Sequence, residues 1–193
     1  MFKTILILIA VLAALAVWLI TRPAVPKPYV EAYHAALDRL PGSEAAIDTG
    51  LSRFEAVYAD LTDDAVGERV RDLYAESLYF NDTLTTYESR DRLAAYMRKT
   101  GQNLDRSSVS IDSVMRDGPD VFVRWTMTFS TRSMGRTIES ESIGMTHLRF
   151  DEDGRVLLHQ DFWDAASGLY RNLPVVGYGL DLVDKRMADA HKE

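Results

Sequence analysis

The chain has no cysteine, which excludes a disulfide framework and any thiolate metal site, though it does not decide the compartment. It also lacks an excess of positive charge. Its 22 Lys and Arg stand against 29 Asp and Glu, for a formal charge of −7. No basic stripe is available to neutralise phosphates, which argues against a nucleic-acid partner. Internal repeats and low-complexity tracts are absent too, so 193 residues read as one domain once the N-terminus is set aside.

What is present is clearest between Val121 and Ala165. Val121, Val123, Trp125, Met127 and Phe129 alternate with Phe122, Arg124, Thr126 and Thr128, a period of two that marks a half-buried strand. Further strands follow at Thr137–Phe150 and Arg155–Trp163, with Gly135 and Gly154 in the turns between them. Val109–Arg116 precedes the long strand across Asp117-Gly-Pro-Asp120, a turn signal. These strands predict an antiparallel meander.

Upstream, Thr4–Ile20 is an uncharged apolar run between Lys3 and Arg22. At about 1.5 Å per residue it approaches the roughly 30 Å of a hydrocarbon core. Ala14-Leu-Ala16 offers a signal-cleavage site, but the apolar run continues through Ile20, which favours a retained single-pass anchor over residues 1–22. Pro23, Pro26 and Pro28 predict a stiff spacer, within a linker and short helix over 23–42. Helices are expected at Tyr29–Leu40, from a Ser43 cap to Leu61, from a Thr62 cap to Tyr74, and from a Ser89 cap to Gly101. Glu76–Asp82 reads as a strand, Thr83–Tyr87 as loop, and a last helix starts near Tyr178. The expected fold class is α+β, a curved antiparallel sheet closed over one face by the N-terminal helices. The domain spans 43–177 and a C-terminal helix spans 178–193. Such a cone encloses an apolar pocket suited to a small apolar or lipid-derived molecule.

From Leu51 to Ala165 the chain resembles the nuclear transport factor 2-like superfamily, which includes ketosteroid isomerases, limonene epoxide hydrolases and SnoaL-type polyketide cyclases. The resemblance rests on Asp72-Leu-Tyr-Ala-Glu-Ser77, on His147-Leu-Arg-Phe-Asp-Glu-Asp-Gly-Arg-Val156, and on His159-x-Asp161 followed by Leu169-Tyr170-x-x-Leu173-Pro174. Likeness to the isomerases, counted from Leu73, implies a proton-transferring carboxylate at Asp82 and an oxyanion-binding hydroxyl at Tyr58. A base on one side of a substrate and donors aimed at the developing charge are what proton abstraction beside a carbonyl requires. The second donor falls on Thr146, where those enzymes carry an acid, and Thr83 replaces their proline. Likeness to the epoxide hydrolases implies a water-activating Asp161, with Tyr79 and Asn81 positioning the water. Their arginine and second acid fall on Trp125 and Met127.

Strand alternation sorts the candidates. With Trp125, Met127 and Phe129 inward, the alignment that the resemblance implies puts Thr146, Leu148, His159, Asp161 and Trp163 on the same face, and His147 then points away. A His147–His159 metal pair is therefore not expected. An inward Asp161 is costly unless used or paired. The expectation is acid–base chemistry without metal or cofactor, with Asp161 beside His159, or Asp82, as base, and Tyr58 and Thr146 as donors. Tyr79, Asn81, Trp125, Met127, Phe129, Thr146 and Trp163 are the expected ligand contacts. The alternative is a non-catalytic binding or assembly module. Sheets of the superfamily that the chain resembles commonly pair back to back, and the outward face here, with Phe122, Thr126 and Thr128, is not strongly charged, so the resemblance implies a homodimer.

Overall fold

A computed structural model describes the backbone of residues 2–21, 29–133 and 135–189. The proline spacer at Pro23, Pro26 and Pro28, and the chain after Asp189, lie outside the described residues. Helix α1 (Phe2–Thr21) is followed by α2 (Val30–Arg39), α3 (Ile47–Tyr58) and α4 (Val66–Leu73). Strands β1 (Tyr74–Asn81) and β2 (Thr86–Ser89) lead into α5 (Arg90–Gln102). Then come β3 (Arg106–Asp117), β4 (Asp120–Ser133), β5 (Arg136–Phe150) and β6 (Val156–Trp163). A short turn of helix, α6 (Ala165–Gly168), precedes α7 (Pro174–Asp189).

The six strands form one curved sheet in the order β2-β1-β6-β5-β4-β3. It is mixed, not antiparallel as expected, because β1 and β6 run parallel. After α5 the chain crosses to the far edge and meanders back through β3, β4, β5 and β6. That path delivers β6 beside β1 in the same direction. β2 lies partly in the stretch expected to be loop; Asn81 and Thr86 pair across the connection.

The long strands alternate as their sequence predicts. Val121, Val123 and Trp125 are buried, and opposite them on β5 stand Leu148, Thr146 and Gly144. Phe54, Val57, Val70, Leu73, Leu93 and Met97 of α3, α4 and α5 close over this inner face. Gly144 is required here: a Cβ on it would lie 2.4 Å from Cζ2 of Trp125 and 2.8 Å from Cβ of Trp163. The Trp125 indole and the Cβ of Trp163 occupy the space that a side chain would need.

The helices do not all close one face. α2 crosses to the outer side, where Ala36 and Leu40 pack on Tyr79 and Leu158. Arg149 secures it, donating to the carbonyls of Leu37 and Leu40 at 2.7 and 2.9 Å and to Asp120 Oδ1 at 2.5 Å. Tyr33 meets Nδ1 of His147 at 2.7 Å, and Nε2 of the same ring lies 2.6 Å from Asp120 Oδ1. His147 is thus an outer-face residue, as strand alternation requires.

The expected caps differ. Neither α3 nor α5 has a side-chain N-cap bond; Ser43 Oγ instead accepts from the Ala45 N–H, and Asp63, not Thr62, accepts from the Ala65 N–H just ahead of α4. α7 begins at Pro174, so the boundary expected at 177/178 falls inside it. In α1 the described side chains, Ile5 and residues 7–18, are exposed. Among the described residues, no helix is long and apolar enough to cross a membrane.

Candidate active site

A cavity of about 320 Å³ opens between the inner sheet face and helices α3 and α5. Its wall is largely apolar, with Phe54, Phe80, Met97, Trp125, Met127 and Phe129 contributing. Three of the expected polar side chains converge on it: Tyr58, Asp82 and Asp161, with Thr146 beside them.

Asp161 is held by two donors on one oxygen. Trp125 Nε1–H donates to Thr146 Oγ1 at 2.8 Å, and the Thr146 hydroxyl donates to Asp161 Oδ1 at 2.5 Å. His159 Nε2 lies 2.9 Å from the same Oδ1. The sheet register makes this possible, since Thr146 on β5 stands directly opposite Asp161 on β6. His159, two residues earlier, shares the inward face of β6. The imidazole is 1% exposed and the carboxylate 15%.

Behind the wall the contacts continue. Tyr74 Oη stands 2.8 Å from Nδ1 of His159, and Tyr58 Oη stands 2.7 Å from Tyr74 Oη. Burial raises both phenols well above the ordinary tyrosine range, and the negative charge of Asp161 adds to the effect. Neither phenol ionises readily; both serve as hydroxyls.

Asp82 is placed differently. Its Oδ1 accepts from the backbone N–H groups of Leu84 and Thr85 at 2.9 and 2.8 Å, and Tyr96 donates to Oδ2 at 2.6 Å. Burial raises its pKa, against the lowering effect of those three donors, and the charge of Asp161 pushes the same way as burial. Thr83, next in the chain, sits at φ 71°, which a β-branched residue adopts only under strain. Proline, with φ near −65°, could not occupy it. The carboxylate therefore terminates a tight turn while it faces the cavity.

Residues 53–159 match the profile of the SnoaL-like domain, more than half of the chain. This protein belongs to the SnoaL-like domain family. Solved structures share its fold. A limonene-epoxide-hydrolase-like epoxide hydrolase from M. tuberculosis is 17% identical over 72% of this chain and 97% of that one, with a TM-score of 0.53. A candidate SnoaL-like polyketide cyclase from Shewanella denitrificans is 17% identical, covering 62% and 93%, at 0.54. Another, from Jannaschia sp., is 18% identical, covering 65% and 90%, at 0.51. No curated protein matches the sequence. At these identities the likeness establishes the fold alone.

In this SnoaL-like domain the expected water-positioning pair does not reach the cavity. Tyr79 and Asn81 alternate with Phe80 and Asp82 and so face outward. Tyr79 donates to Gln160 Oε1 at 2.9 Å, and Gln160 donates to Asn81 Oδ1 at 3.0 Å. These three form a buried polar cluster on the α2 side of the sheet. Two residues of the site escaped the sequence reading. Tyr74 lies on the inward parity of β1 with Phe80 and Asp82, and that alternation was its only signal. Tyr96 stands among the inward residues of α5, but nothing local shows that its hydroxyl meets Asp82. Trp163 lines the cavity and donates from Nε1 to the Asp82 carbonyl at 2.9 Å. Among the described residues no cluster of His, Asp and Glu is arranged to hold a metal ion.

Proposed function

We propose that this SnoaL-like protein binds a small apolar or lipid-derived molecule in the cavity and moves a proton on it, with Asp161 as the base and no metal or cofactor. The observation that carries this reading is the Asp161 carboxylate in an apolar cavity, with Oδ1 held by Thr146 and His159. Fixing one oxygen leaves the other as the acceptor of a substrate proton and keeps its position constant during transfer. Asp82 has both oxygens engaged, so it acts as a second negative charge and a turn-former. Isomerase, cyclase and hydrolase chemistry all begin from such a base.

The test needs no known substrate. The purified full-length protein is extracted, and any retained molecule is identified by mass spectrometry. That molecule is then incubated in D2O with wild-type protein, Asp161→Asn and Asp82→Asn. Deuterium should enter a carbon adjacent to a polarised group with wild type and Asp82→Asn, and not with Asp161→Asn. Incorporation at the wild-type rate with Asp161→Asn removes the carboxylate from the mechanism.

The second reading is a non-catalytic binding or assembly module, and exposed apolar side chains on the outer sheet face favour it. Ile143 is 69% exposed and Phe162 39%. On either reading the domain forms a homodimer through that face and is held at a membrane by the run Thr4–Ile20. Sedimentation of Ile143→Arg beside wild type tests the first point, and fractionation of the intact chain with membranes tests the second.

A further inference from the structure

We infer that Tyr58 presents lone pairs, not a proton, to the cavity, so the pocket selects a ligand carrying a hydroxyl where an isomerase-like site would select a carbonyl. This rests on the ligand pocket proposed above and specifies what enters it.

Indole N–H is a donor only, so Trp125 obliges Thr146 Oγ1 to accept at 2.8 Å and turns the Thr146 proton towards Asp161. Asp161 Oδ1 is thus an acceptor on that side. An ionised carboxylate only accepts, and a neutral imidazole beside it carries one N–H on one of its two ring nitrogens. With Nε2 at 2.9 Å from Oδ1, that proton sits on Nε2, since two bare acceptors at this distance would repel. A neutral ring protonated on Nε2 has a bare Nδ1. Tyr74, at 2.8 Å from it, must donate there. Having one proton, Tyr74 can only accept from Tyr58 at 2.7 Å. Tyr58 in turn spends its proton on Tyr74. All hydrogens in the row Tyr58–Tyr74–His159 point towards Asp161, and what remains for the cavity at Tyr58 is an oxygen acceptor.

Tyr74 and His159 are 0% and 1% exposed, so no water enters the row to reverse it. A carbonyl beside Tyr58 would face another acceptor, whereas a hydroxyl would donate to it. The oxyanion-donor role that the resemblance implied for Tyr58 is therefore closed in this form of the site.

Borneol and camphor share one compact bicyclic skeleton and differ as alcohol and ketone, which makes them suitable probes. Their binding to the full-length protein in detergent is measured by calorimetry at about pH 8, above the ordinary carboxylate and imidazole ranges. Borneol should bind about tenfold more tightly than camphor, the scale of one well-placed hydrogen bond. Tyr58→Phe should make the two equal. Tyr74→Phe should free the Tyr58 proton and raise camphor to the affinity of borneol or above it, which a merely structural Tyr74 would not do. If Tyr74→Phe fails to fold, the wild-type preference and its loss in Tyr58→Phe decide the matter. Camphor binding as tightly as borneol to wild type, or an unchanged preference in either variant, overturns the inference while leaving the pocket reading intact. Failure of both probes to bind overturns the two together.

Discussion

Tyr74 meets Nδ1 of His159 at 2.8 Å, with neither side chain reaching solvent. The contact joins the start of β1 to the middle of β6. It places a fixed hydroxyl behind the imidazole that braces Asp161. The site is therefore supported from the core outward, so its stability and its chemistry can be separated by mutation.

Tyr74→Phe removes a hydroxyl that has two partners and strands Nδ1 of His159 in an apolar setting. It should cost about 1–3 kcal/mol of unfolding free energy, the penalty for a buried group left unsatisfied. Tyr58→Phe should cost less, because Tyr58 is at the cavity and only partly buried. A double-mutant cycle read by urea denaturation should give a coupling of about 1 kcal/mol between them. Additive costs would show that the 2.7 Å contact contributes nothing.

The raised pKa of Asp82 fixes the sign of a pH effect. Burial is its first cause, and the charge of Asp161 adds to it. The folded state therefore holds the proton more tightly than the unfolded chain, whose Asp titrates near about 3.9. Between that value and the higher folded one, the folded state carries more protons, so stability falls as pH rises. Asp82→Asn should remove this limb and leave the protein more stable than wild type at neutral pH. Urea midpoints across the acid range test it; a variant less stable at neutral pH would mean that the three donors outweigh burial.

Much of this was legible from the chain. Alternation in Val121–Phe129 put Trp125, Met127 and Phe129 on one face because period two is local, and the same period put His159 and Asp161 together on the last strand; that Thr146, His159 and Asp161 share the face of Trp125 followed from the family resemblance. The parallel pairing of β1 with β6 was not legible, since Tyr79 and Leu158, which it brings side by side, lie far apart in sequence. The same limit hid α2: Ala36 and Leu40 look like any amphipathic stripe, and only the partner across the sheet shows which face they cover. Tyr79 and Asn81 match the hydrolase motif in sequence, but their parity, opposite to that of Asp82, turns them to the outer face. Parity was the better guide.

The clamp around Arg149 makes the opposite pH prediction. Burial pushes His147 below the ordinary imidazole value, against the pull of Asp120. Burial also acts to raise Asp120, but hydrogen bonds from Arg149 and His147 leave it lowered overall. For a depressed histidine, stability is present above about 6.5 and lost as pH falls towards its folded value; Asp120 adds a further loss at more acid pH. His147→Gln should flatten the first of these limbs. Arg149→Met leaves two carbonyls at the end of α2 without their donor and strips Asp120 of its guanidinium partner, leaving it His147. It should cost about 2–4 kcal/mol and expose α2 to early hydrogen exchange. Exchange in α2 at the wild-type rate would show that apolar packing alone holds the helix.

Gly144 couples cavity shape to the orientation of Asp161. An alanine methyl would stand 2.4 Å from the Trp125 ring, well inside contact distance, so the indole must move towards the cavity. Overpacking of this kind costs about 1–3 kcal/mol. The displacement also breaks the 2.8 Å bond from Nε1 to Thr146, freeing the Thr146 hydroxyl from its fixed direction. Gly144→Ala should therefore reduce both retention of an apolar ligand and any proton exchange that depends on Asp161. The two causes separate in a second background. Trp125→Phe removes the N–H but leaves room, and Gly144→Ala with Trp125→Phe should recover most of the stability lost in Gly144→Ala. Exchange activity should not recover with it, because the donor to Thr146 is still missing. Recovery of both together would assign the whole effect to space, and the Trp125–Thr146–Asp161 row would then have no part in directing the carboxylate.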